Sequence, residues 1–80
     1  MTHPALATLD AHMDGKYLRP LRSKLEDGSL TLREDPEFPG VWGIFAGQRV
    51  VVVVYTPGSS PDFPDGDYET CDDFEKLVSA

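Results

Sequence analysis

Eighty residues make one small α+β domain, and a formal charge of −7 with a single cysteine limits what that domain can do. Cys71 alone excludes an internal disulfide and any zinc site built on several thiolates, and it suits a reducing cytosol. No apolar stretch nears the ~20 residues needed to span a bilayer, and the N-terminus lacks the basic start and apolar run of a signal peptide, so a soluble, cytoplasmic chain is expected.

Residues 2–13 read as a helix. Thr2 is placed to cap it, Pro4 is tolerated in the first turn, and Leu6, Leu9 and Met13 share one face. Asp14-Gly15 is a stop signal. A second helix is expected from about Tyr17 to Glu26, with Leu18, Leu21 and Leu25 as its stripe. Pro20 fits only if that helix begins near Tyr17, because its ring strikes the carbonyl four residues back. Asp27-Gly28 closes it. Strands follow at Ser29 to Arg33, Val41 to Phe45 and Arg49 to Tyr55. Residues 34–40 form a loop rich in proline, and Ala46-Gly47-Gln48 forms a tight turn. Five successive valines leave the third strand no polar face, so both of its faces should be covered. Thr56 to Asp67 is irregular. Thr70 is then read as the cap of a terminal helix, with Asp73 in a capping-box position and Cys71, Phe74, Leu77 and Val78 facing inward.

The order α-α-β-β-β-α implies a three-stranded antiparallel meander packed with two N-terminal helices and one C-terminal helix. This leaves the valine strand at an edge, where it invites pairing with another chain. A different strand order would resolve this, as would a fourth strand near Tyr68. Completion by a partner or a second copy is slightly preferred, which allows a homodimer through that edge.

Charge is the main functional signal. Residues up to Arg33 carry five basic and four acidic groups, net about +1. The remainder carries two basic and ten acidic groups, net about −8. Asp62, Asp65, Asp67, Glu69, Asp72, Asp73 and Glu75 crowd the C-terminal part, with Phe63 and Tyr68 between them. Such a run is commonly a solvated surface. It also repels nucleic acid and anionic lipid, attracts basic proteins, and can occupy a groove built for phosphates.

Other chemistries fit poorly. Asp65-Gly66-Asp67-Tyr68-Glu69 offers alternating oxygen ligands, but an EF-hand loop counted from Asp65 meets Thr70 at the glycine position and Lys76 at the bidentate glutamate position. No metal site is therefore assigned. Cys71 has only His3 and His12 as prospective bases, and nearby carboxylates raise a thiol pKa rather than activate it. Gly40, Gly43 and Gly47 do not make a phosphate loop, and no cofactor is expected. The basic run Lys16, Arg19, Arg22 and Lys24 is expected to pair with the acidic half or to face water. Trp42 and Phe38 belong to the core unless Trp42 is exposed beside Phe38 as a contact anchor.

In size and charge alone the chain resembles the small acidic proteins that phages encode to block bacterial defence, anti-CRISPR proteins among them. That resemblance implies a compact, non-enzymatic inhibitor and transfers no residues. The expected function is a protein-binding module that occludes a basic, nucleic-acid-binding partner through Asp62, Phe63, Asp65, Asp67, Tyr68, Glu69, Asp72 and Asp73. The alternatives are an immunity or antitoxin protein facing a basic toxin, or an assembly subunit joined through Val50 to Val54.

Overall fold

The computed structural model describes residues 3–79. They form α1 (Pro4–His12), α2 (Gly15–Asp27), β1 (Thr31–Glu34), β2 (Val41–Ala46), β3 (Arg49–Tyr55), β4 (Asp67–Thr70) and α3 (Phe74–Ser79). The expected cap Thr2 lies outside the described residues. His3 holds the capping position, and its Nδ1 accepts from the Ala5 N–H at 3.1 Å. Asp14 does more than end the first helix. Its Oδ1 accepts from the Lys16 N–H at 3.0 Å, which caps α2 and starts it two residues earlier than expected. Pro20 therefore lies inside α2, where it has no N–H to give to the Lys16 carbonyl.

The sheet has four strands, not three, in the antiparallel order β1-β2-β3-β4. The added strand is β4, whose Tyr68 and Glu69 stand opposite Val54 and Val53. Thr70 ends this strand instead of capping a helix, and α3 begins at Phe74. The valine strand is consequently internal, and the expected pairing of a second copy along its edge has no free edge to use. This is the fourth strand near Tyr68 that stood as an alternative to pairing with another chain, and its own residues argue only weakly for it. Asp67 and Glu69 are poor strand formers, and only pairing with an apolar neighbour makes the extended conformation favourable there.

Alternation divides the sheet into two faces. Leu32, Trp42, Ile44, Val52, Val54 and Tyr68 face the helices, while Arg33, Gly43, Phe45, Val53, Tyr55 and Glu69 face away. A bulge opposite Ile44 and Phe45 inserts Val51, so Val51 and Val52 are both buried. The inner face meets Leu9 of α1, Leu18 and Leu21 of α2, and Phe74 and Val78 of α3 in one core. Trp42 also packs inward, edge-to-face with His3 at 4.4 Å, so it is not an exposed partner of Phe38. The outer face is only partly covered: Val53 is half-buried and Val50 is exposed. The expectation that both faces of β3 would be shielded holds for the inner one.

The helices are unevenly spread. α1 lies over β3 and β4, and α2 packs on α1 and α3, so β1 has little helix above it. Among the described residues no helix is long and apolar enough to cross a membrane.

Candidate functional site

The loop between β3 and β4 turns back at the end of β3, where its Phe63 reaches the outer face of the sheet. Phe63 stacks on Tyr55 with ring centroids 4.6 Å apart and planes 27° from parallel. Asp67 pairs with Tyr55 in register, and Glu69 pairs with Val53. Burial, then Glu69 and Asp67, push the Tyr55 hydroxyl pKa upward, so both carboxylates act on this ring. Asp62 and Asp65 are exposed in the same loop. The result is a surface where two stacked aromatic rings lie among Asp62, Asp65, Asp67 and Glu69.

Local hydrogen bonds shape it. Asp67 Oδ1 accepts from the Tyr68 N–H at 2.8 Å, and Ser60 Oγ accepts from the Asp62 N–H at 3.3 Å. His12 Nε2 lies 3.1 Å from the Asp65 carbonyl, tying the loop to the end of α1. Gly66 is buried at φ 84, and a Cβ there would stand 2.9 Å from the Tyr55 carbonyl oxygen. The loop can therefore pass close under β3 only with glycine at this point.

The remaining expected contact residues divide. Tyr68 is half-buried and packs against the core on the inner face, on the side of the sheet opposite the Tyr55–Phe63 stack. Asp72 is exposed. Asp73 is engaged by Arg49 in a two-pronged ion pair, one arm of which spans 3.1 Å. The bonds from Arg49 and Cys71 hold the Asp73 carboxyl at about 2, below its usual 3.8. Tyr55 is the site residue that sequence reasoning missed, having named it only as the end of the valine strand. The usable signal was parity: Tyr55 lies two residues from Val53, on the face opposite Val52 and Val54.

The positive half of the chain does not neutralise this surface. Lys16 sits 4.9 Å from the centroid of the Tyr17 ring, and Arg19 Nε donates to the Gly15 carbonyl at 3.4 Å. Among the described residues the one ion pair is Arg49–Asp73, and none of Lys16, Arg19, Arg22 or Lys24 bridges to a carboxylate.

Cys71 is half-buried, and its Sγ donates to Asp73 at 3.2 Å. Burial, followed by the bond to Asp73 and its charge, raises the thiol pKa, which works against a thiolate nucleophile. His12 is directed at the Asp65 carbonyl and His3 at Trp42 and Ala5, so neither serves Cys71 as a base. Among the described residues no three His, Cys, Asp or Glu side chains gather closely enough to hold a metal ion. No family model, no curated protein and no solved structure matches the chain.

Proposed function

We propose that this chain is a non-enzymatic binding module that covers a basic protein surface, of the kind that handles nucleic acid. The reading rests on one observation above all. Asp62, Asp65, Asp67 and Glu69 lie around the Tyr55–Phe63 stack and, among the described residues, share no ion pair with the basic half of the molecule. Unneutralised carboxylates set the direction of approach and speed association, and flat aromatic rings supply contact area once water is displaced. Inhibition would be steric and electrostatic: the partner's Lys/Arg groove fills with carboxylates where it would otherwise bind phosphates. The immunity and antitoxin readings use the same surface on another target.

The test compares the wild type with a variant carrying Asp62→Lys, Asp65→Lys and Glu69→Lys, three exposed positions. Immobilised wild type should retain basic proteins from a cell lysate at about 50 mM salt and release them at several hundred millimolar, the range over which screening removes such contacts. The variant should retain none of them while keeping its circular dichroism spectrum. Equal retention by both proteins refutes the proposal.

A further inference from the structure

The sheet edge farthest from the acidic face has a different chemistry. Leu6 of α1, Arg22, Leu25 and Glu26 of α2, and Leu30 and Leu32 line a groove of about 730 Å³. It exists because α1 lies over β3 and β4 and α2 packs on α1 and α3, leaving the inner flank of β1 uncovered. Among the described residues β1 is also an end strand, bonded only to β2.

The phase of that pairing is fixed. The Asp35 N–H donates to the Val41 carbonyl at 2.8 Å, which continues the β1–β2 register. Antiparallel pairs alternate, so Arg33 and Thr31 also bond to β2. Leu32 and Glu34 then direct their N–H and C=O groups away from β2, toward the open edge. Leu32 meanwhile contributes its side chain to the groove. An incoming extended segment would meet free main-chain partners at the edge and an apolar floor beneath its alternate side chains.

Charge narrows the choice of segment. Arg22 Nε is buried with no hydrogen-bond partner among the described residues. Nε is enclosed, but the rest of this half-buried guanidinium lines the groove, and a carboxylate is the best geometric match for its terminal nitrogens. Glu26 lines the same groove and opposes a run of acids. One carboxylate beside apolar neighbours is the composition that fits.

The geometry points to a peptide-binding site distinct from the acidic face: an extended segment of another protein adds to the edge of β1, sets apolar side chains on Leu6, Leu25 and Leu32, and presents one carboxylate to Arg22. This site works independently of the surface proposed above, and either could fail without the other.

Selection of random decapeptides displayed on phage against the full chain tests it. Enriched sequences should alternate apolar residues and carry a single Asp or Glu. A synthetic peptide of the enriched sequence should shift the amide resonances of Leu32 and Glu34. N-methylation of that peptide should abolish binding at alternate positions and be tolerated between them. Arg22→Met keeps the aliphatic stem and should weaken binding about tenfold. The triple variant Asp62→Lys, Asp65→Lys, Glu69→Lys should bind the peptide as the wild type does. Failure to enrich any peptide, a basic consensus, or shifts confined to residues 62–69 would overturn the assignment. So would a concentration-dependent dimer that already protects the Leu32 and Glu34 amides, since the edge would then belong to a second copy.

Discussion

Gly66 shows how one residue can set the position of a surface. It combines a left-handed φ of 84 with a backbone oxygen 2.9 Å from where a Cβ would stand. Gly58 has nearly the same φ, 83, and open space around it. The two positions separate conformation from packing. Gly58→Ala should cost about 1 kcal/mol, the price of the left-handed conformation alone. Gly66→Ala should cost about 2 to 4 kcal/mol, because overpacking is added. Urea midpoints of the two variants measure the difference, and equal losses would show that the approach of the loop to β3 carries no strain. The sequence marks Gly66 as a turn residue but cannot show what it passes beneath, since the Tyr55 carbonyl is eleven positions away and meets it only in the folded chain. The apolar positions with strong periodicity were easier to read. Leu9, Leu18, Leu21 and Phe74 are all buried where their helical spacing places them.

At the scale of elements, what could be read followed how local the determining physics is. α1, α2, β2 and β3 have apolar patterns or turn signals within their own residues, and the sequence places them to within two or three positions. β4 has no such signal. Tyr68 is its only apolar residue, and its extended form depends on Val52, Val53 and Val54 alongside it. Residues 70–73 were misread for the same reason: Thr70 is a good cap residue, but the ladder with β3 claims it first. α2 carries the opposite conflict, a proline kept within a helix that its neighbours stabilise. Pro20→Ala restores the missing N–H and removes the ring beside the Lys16 carbonyl. It should therefore stabilise the protein, by about 1 to 3 kcal/mol. Chemical denaturation measures this directly. An unchanged or lower midpoint would mean that the proline relieves some other constraint on α2.

For the whole molecule, the arrangement of charge and the order of the sheet belong together. The acidic loop and β4 lie at one side and the end strand β1 at the other, with α2 running between them from Tyr17, bonded to Glu75 of α3, to Leu25 beside β1, and the two sides offer surfaces of unlike chemistry. The candidate acidic site was visible in composition, but its shape was not. The stacking of Phe63 on Tyr55 and the turn of Tyr68 toward the inner face depend on strand parity, which a bulge in β3 alters. The edge groove could not be read at all, because it arises from helices that are placed off-centre.

β4 is four residues long, and its last two are exposed, yet among the described residues it is the one strand that pairs with the outer edge of Val52 to Val54. Its Cys71 neighbour donates an N–H to Val51, so the ladder phase gives Glu69 a main-chain bond to Val53. Glu69→Pro should break this bond, quicken amide exchange through Val51 to Val53, and produce thioflavin-positive aggregates during storage at high concentration. A variant that remains monomeric would show that the strand is not needed as a cover. Shelf life, on this account, is governed by a small latch: the molecule ages each time its last strand swings open, long before the rest of the chain unfolds.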